Sequence, residues 1–338
     1  MYAGADATTG SSVVSTRSAA IGACAAVVSV ERTVTLRITA TGLDGGKAAG
    51  MKIGIGLPDS IPGVAPPMII EWAARADAGP FTSVGTEDRL IYPNYDSLVT
   101  LAAAAAVTKR VRLVTNILIA PLRNAGILAK QASSIDLLSG GRLTLGLAVG
   151  SRQTDYRVAP AEFKTRGRRF DEMLVYMKQI WAGEPVADDI PNVGPLPVQP
   201  GGPEILMGGQ VDRSVVRAGR WADGYIGGGK DPKLAGERMD QVRAAWKENG
   251  RTGEPRFVGH MHFALGPGAA EKAEAYALAY YEWRGPVRAQ AQIDESFLTP
   301  EAIRETIDTF GGIGMDEIIF IPNAAEFDQM DRLADAIA

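Results

Sequence analysis

His260 and His262 are the only histidines in the chain, and they stand two apart in the run RFVGHMHFAL. In a strand that spacing turns both imidazoles to one face. A catalytic zinc takes three protein ligands, and no third histidine and no cysteine stands near another candidate strand end; a carboxylate such as Asp88 could complete the set. The expectation is therefore no metal, with His260 touching a ligand. Glu87 and Asp88 are adjacent, so in a strand they face opposite ways and do not form a catalytic carboxylate pair. No serine lies in a G-x-S-x-G elbow, which leaves a hydrolase triad without support. Arg166, Arg168 and Arg169 open a helix against its dipole, with Asp171 and Glu172 as the expected ion-pair partners. These side chains name no reaction by themselves, which fits an enzyme whose cofactor performs the difficult step.

Glycines give a second signal. MGGQ, with Gly208, Gly209 and Gln210, and GGGK, with Gly227 and Gly228, each end an apolar run just before a helix. Glycine lets a backbone approach a ligand closely, and a helix N-terminus offers free N–H groups to an anion. Together they suggest a phosphate seat. The stretch GGRLTLGLAVGSRQTDY carries Gly150, Ser151, Arg152, Asp155 and Tyr156 past the end of another apolar run.

The elements that position these residues alternate. From MKIGIGLP at Met51 onward, short apolar runs alternate with amphipathic segments eight times within about 290 residues, the order and size of an eight-stranded parallel (β/α)8 barrel. An insertion, Gly183 to Pro203, follows the fourth helix. An extra helix, TPEAIRETIDTFGGIG, precedes the eighth strand. The rival, an open doubly wound sheet, calls for G-x-G-x-x-G after the first strand, and GIGLPDS lacks it. In a barrel the site sits at the C-terminal ends of the strands. The candidates there run from Leu57 to Ser60, Glu87 to Arg89, Asn116 to Pro121, Gly150 to Tyr156, Gly208 to Val211, Gly227 to Lys230, His260 to His262, and Pro322 with Asn323.

Of the 338 residues, 46% are hydrophobic and 22% charged, and the net charge is -4 from 35 basic and 39 acidic residues. No broad electropositive field exists for nucleic acid or an anionic membrane, so a small-molecule partner is expected. The single cysteine, Cys24, excludes an intrachain disulfide and suits a cytoplasmic setting. Residues 1–50 read as a low-information extension before a barrel domain at 51–338. Within that extension, SAAIGACAAVVSV is too short to span a bilayer.

The chain from Met51 onward resembles the bacterial luciferase-like family of barrel oxidoreductases. The resemblance rests on AAAAAVTKRVRLVTNILIAPLRNAGILAKQASSIDLLSGGRLTLGLAVG, RGRRFDEMLVYMKQIW and PEILMGGQVDRSVVRAGRWADGYI. It implies FMN, or the deazaflavin coenzyme F420, as cofactor. It also implies a bulge with a cis peptide at Thr115, Asn116 and Ile117 behind the flavin ring, and a phosphate turn at Gly208, Gly209 and Gln210 beside Gly227 and Gly228. Leu57, Gly150, Ser151 and Tyr156 are expected to line the cofactor, with Tyr156 nearest its phosphate or ribose. Asp88, Arg89, Arg152 and His260 are the expected catalytic groups. Arg89 and Ser151 stand where sugar-phosphate dehydrogenases of the family carry histidine and an acid, which favours a monooxygenase using reduced FMN and oxygen over an F420-dependent hydride-transfer enzyme. A separate flavin reductase and a homodimer complete the expected partners; Ala102 to Ala106 read as a tightly packed helix whose flat alanine face could also meet another subunit, and a non-catalytic flavin-binding protein is the remaining alternative.

Overall fold

The computed structural model describes residues 50–338; the expected extension, apart from Gly50, and Cys24 lie outside the described residues. Eight parallel strands close a barrel in sequence order: β1 (Lys52–Gly56), β2 (Ser83–Thr86), β3 (Arg112–Ile119), β4 (Leu143–Ala148), β5 (Glu204–Gly208), β6 (Gly224–Gly228), β7 (Arg256–Phe263) and β8 (Glu317–Pro322). Closure is made by β1 against β8, with Gly54 opposite Ile319. The expected (β/α)8 barrel is the observed one.

Alternation along each strand sorts the core into two layers. Val114, Leu206, Ile226, Val258, Ile319 and Ile321 form a small inner cluster. The neighbours of opposite parity, such as Ile53, Ile55, Leu113, Phe257 and Phe320, join the larger outer cluster between strands and helices. Helix starts follow local chemistry. Asp96 accepts from the N–H groups of Leu98 and Val99 (3.0 and 3.1 Å) at the head of helix Ser97–Val107, and Asn124 accepts from Ile127 N (3.1 Å) ahead of helix Ala125–Ser139. Such caps satisfy N–H groups that the helix itself leaves free.

β3 changes register against β4 between Thr115 and Leu118, and the Asn116–Ile117 peptide is cis. Gly146 of β4 makes room there: a Cβ at that position would lie 2.1 Å from the Thr115 carbonyl oxygen.

The insertion at 183–203 holds neither helix nor strand. It is pinned by the Asp136 carboxylate, which accepts from Val198 N (2.8 Å), Gln199 N (3.0 Å) and Gln199 Nε2 (2.7 Å). The extra helix is Pro300–Gly312. Two more helices, Gln153–Val158 and Pro286–Asp294, stand outside the eight strand–helix repeats. Their weak apolar periodicity hid them: the second buries only Ala289 and Gln292. No described helix is long and apolar enough to cross a membrane.

Candidate active site

Period-two alternation carries polar residues into the barrel mouth above the inner cluster. On β7, Val258 belongs to the inner cluster, and His260 and His262 continue its face. On β8, Ile319 and Ile321 are continued by Asn323; on β3, Val114 by Asn116. On β2, Val84 packs in the outer layer, whereas a Cβ on Gly85 would face Ile319 and Asn116. Glu87 therefore enters the mouth, and Asp88 turns out of it.

The mouth holds one connected polar cluster. Glu87 Oε2 accepts from Ser60 Oγ (2.6 Å) and Tyr276 OH (2.5 Å). Its Oε1 stands 3.9 Å from His260 Nε2, which is 3.3 Å from His262 Nε2. His262 Nδ1 is 3.2 Å from Asn323 Oδ1, Asn323 Nδ2 donates to Ser296 Oγ (3.0 Å), and Ser296 Oγ donates to the Gln292 carbonyl (3.0 Å). Asp59, fully buried just after β1, has no hydrogen-bond partner on either side-chain oxygen. Burial, helped by the nearby Glu87 charge, holds the Asp59 carboxyl well above the usual range. Burial also lowers both imidazoles, His262 to about 4, against the opposing pull of Glu87. At neutral pH both histidines are thus neutral. Burial pushes Glu87 up, but the attraction of His262 and His260 in their protonated forms, with the hydroxyls of Ser60 and Tyr276, brings it below its ordinary value.

Several expected site residues stand elsewhere. Asp88 is held by Arg123 through two contacts (2.8 and 2.9 Å) and accepts from Ile119 N (2.8 Å). It therefore ties the exit of β2 to that of β3, and it is not the carboxylate that joins the histidines. Leu57 packs in the outer layer because its parity follows Ile53 and Ile55. Tyr156 is buried, its hydroxyl donating to the Val149 carbonyl (2.5 Å) and its ring edge-on to Phe163, so its proton is already used and not offered to a phosphate. Arg152 donates to the Ile91 carbonyl (2.5 Å) and lies over the Trp283 ring; Arg89 lies over Tyr280 at 3.9 Å and donates to its carbonyl (3.1 Å). These two arginines and Trp283 form one rim of the mouth. Thr115 Oγ1 donates to the Gly146 carbonyl (2.8 Å). Asp171 pairs with Arg217 and Glu172 with Arg168, whereas Arg166 and Arg169 reach carbonyls, of Phe163 and Arg123 respectively.

The groups expected to hold a flavin are contiguous. Asn116 is fully buried with neither amide atom partnered, and Ile117 after it touches Gly208, where a Cβ would lie 2.6 Å from Ile117 Cδ1. Gly209 has φ 128°, and a Cβ there would lie 2.3 Å from Ser214 Oγ. Gly208 pairs with Ile226, which brings Gly227 and Gly228 beside Gly208 and Gly209, and the exposed Gln210 leads into helix Asp212–Trp221. Gly150, with φ 66°, and the exposed Ser151 leave β4 nearby in the barrel order. An orphaned amide and, across Ile117, glycine turns at a helix start offer unmade hydrogen bonds and free N–H groups to a polar or anionic ligand.

Asp59, Ser60, Glu87, His262 and Asn323 fall within the strand-end ranges read from sequence but carry no assigned role there, and Tyr276 lies outside those ranges. Parity counted from Val84 would have found Glu87. Nothing local marks Tyr276, which arrives from helix Ala269–Tyr281.

Residues 51–313 match the family model described as luciferase-like monooxygenase. An uncharacterised Mycobacterium tuberculosis protein is 34% identical over 167 residues, covering 47% of this chain and 57% of its own length. The F420-dependent glucose-6-phosphate dehydrogenase of Kribbella flavida is 27% identical (60% and 66% covered), and the FMNH2-dependent dimethylsulfone monooxygenase of Pseudomonas putida 26% (54% and 52%). The chain thus spans little more than half the length of the first of these relatives. Among solved structures, monooxygenase RslO1 from Streptomyces bottropensis superposes with TM-score 0.67 at 22% identity, and an F420-dependent secondary alcohol dehydrogenase with 0.70 at 17%; each covers 85% of this chain and 98% of its own. At that identity the likeness shows the barrel. The family match spans most of the chain and the expected motifs lie within it: the protein belongs to the luciferase-like monooxygenase family, which has both FMN- and F420-dependent members.

Proposed function

We propose that this protein is a flavin-dependent oxidoreductase, a monooxygenase that uses reduced FMN and molecular oxygen on a small organic substrate. The observation that carries the reading is Asn116: a buried amide with no partner costs about 1–3 kcal/mol, and a flavin ring against the Asn116–Ile117 bulge would supply the missing hydrogen bonds. Gly208, Gly209 and Gln210, with Gly227 and Gly228, would hold the phosphate at the start of helix Asp212–Trp221, and Gly150 and Ser151 would border it.

Bound FMN supplies electrons and the reaction with oxygen; the protein supplies position, dryness and proton control. Arg89, Arg152 and Trp283 screen one rim from water. Glu87, with two hydroxyls donating to it, and the neutral His260 beside it can take or give a proton at a substrate atom in the mouth. The same groups serve hydride transfer with F420, a second reading supported by the F420-dependent relatives. A monooxygenase of this kind draws reduced FMN from a separate reductase. Exposed Val99, Ile127 and Leu138 on the neighbouring helices Ser97–Val107 and Ala125–Ser139 support a homodimer through that face.

Reconstitution of the full chain with FMN and with F420, followed by visible absorption, tests the cofactor. The expected result is an FMN spectrum perturbed on binding and oxygen-dependent consumption of substrate by the reduced form. Anaerobic turnover with reduced F420, with none from FMN and oxygen, would overturn it.

A further inference from the structure

The direction of the hydrogen-bond chain below His262 is fixed. Ser296 Oγ donates its single proton to the Gln292 carbonyl, so it must accept from Asn323 Nδ2. The amide oxygen of Asn323 then faces His262 Nδ1, which must carry the hydrogen. His262 Nε2 is left with a lone pair aimed into the mouth. Glu87 is divided in the same way: both hydroxyl donors sit on Oε2, and Oε1 faces His260 and His262 unbonded.

We infer that Glu87, His260 and His262 form a binding site for one divalent cation of the zinc class, a site independent of the flavin seat. One ligand atom from each of the three lies within 4.8 Å of the others. Two imidazole nitrogens bound tetrahedrally at about 2.0–2.1 Å stand roughly 3.3 Å apart, and His260 Nε2 and His262 Nε2 are 3.3 Å apart. Glu87 Oε1, at 3.9 Å from His260 Nε2, closes by a small side-chain rotation. His260 moves its proton from Nε2 to Nδ1 to become the third ligand. Two imidazoles and one carboxylate with an open fourth position match a catalytic zinc set, and the Asn323–Ser296 chain is the outer shell that orients a ligating histidine. Among the described residues neither Asp59 nor Glu87 has an arginine or lysine within salt-bridge distance; the nearest cationic groups stand at the rim, with Arg89 turned onto the Tyr280 ring and carbonyl. Water or a carbonyl or hydroxyl oxygen of a substrate would complete the fourth position, and with the cation bound that water would carry the proton transfer otherwise given to Glu87 and His260.

Calorimetric titration of the full-length, chelator-stripped protein with ZnCl2, and its absorption spectrum with Co2+, test the site. A Cys24→Ala background removes the only thiol. One-to-one saturable binding and a tetrahedral cobalt spectrum are expected. Asn323→Ala should weaken binding by about 10–100-fold, and Glu87→Gln, His260→Gln and His262→Gln by more. Circular dichroism verifies that each variant is folded; should a ligand variant not fold, Asn323→Ala with the cobalt spectrum decides. Absence of saturable binding, or equal affinity in all folded variants, overturns the inference. Because flavin binding is read at its own wavelengths, flavin without zinc would sink this site and leave the proposed function standing.

Discussion

The two ends of the barrel both bury carboxylates, and they treat them oppositely. At the strand N-termini, Arg256 bridges Glu204 (2.5 Å) and Glu317; Thr144 donates to Glu204 (2.7 Å), and Thr82 and Ser83 donate to Glu317 (2.7 and 2.6 Å). Both carboxylates there are ion-paired and hydrogen-bonded. At the C-terminal end Asp59 has no partner, Glu87 keeps one oxygen free, and Asn116 has neither amide atom bonded. Among the described residues, the buried side-chain atoms without a partner, Trp72 Nε1 excepted, lie in the β3 bulge at Asn116, at the end of β2 at Thr86, or in the segments that follow β1, β2 and β4. An unpaired buried polar group costs stability, so a fold retains a cluster of them where a ligand completes them. The difference separates the end that holds the barrel closed from the end that works.

Four substitutions test that division. Arg256→Ala should cost about 3–5 kcal/mol, because it removes the only ion-pair partner, among the described residues, of the buried Glu317, while half-buried Glu204 keeps Arg112 and Thr144; urea unfolding measures it, and a loss below about 1 kcal/mol would mean the lower network does not hold the barrel. Glu87→Gln should slow turnover by at least about 100-fold, the usual scale of a proton-transfer group, with little change in the unfolding midpoint. The contrast sharpens one residue later. Asp88→Asn should lower stability by about 1–3 kcal/mol, the scale of a broken charged hydrogen bond, and leave turnover less affected than Glu87→Gln does. The smallest loss is expected for Asp59→Asn: at neutral pH stability should stay level or rise, since burial already disfavours the charge it removes and that group has no partner to lose. A large loss there would show that Asp59 is part of the scaffold.

Parity explains much of what the sequence showed and what it hid. The glycine turns at Gly208 and Gly227 were readable because each ended an apolar run before a helix. The histidine pair was readable from its spacing alone. Asp88 is the sequence's example of a carboxylate that could join the pair; β2 ends at Thr86, and only parity carried one residue past that end, from Val84 through Gly85, selects Glu87 instead. Tyr156 offered a phenol beside a glycine loop, and nothing in SRQTDY indicates that its hydroxyl bends back to Val149.

The order of strands and helices, the barrel, and the face on which the site must lie follow from this sequence, because hydrophobic periodicity and capping are local properties of the chain. Which lone pairs converge does not. Glu87, His262, Asn323 and Tyr276 come from β2, β7, β8 and a helix, and only closure of the barrel sets them within hydrogen-bonding reach. The proton direction along Ser296, Asn323 and His262 is likewise decided by a carbonyl at Gln292 that no motif connects to the site.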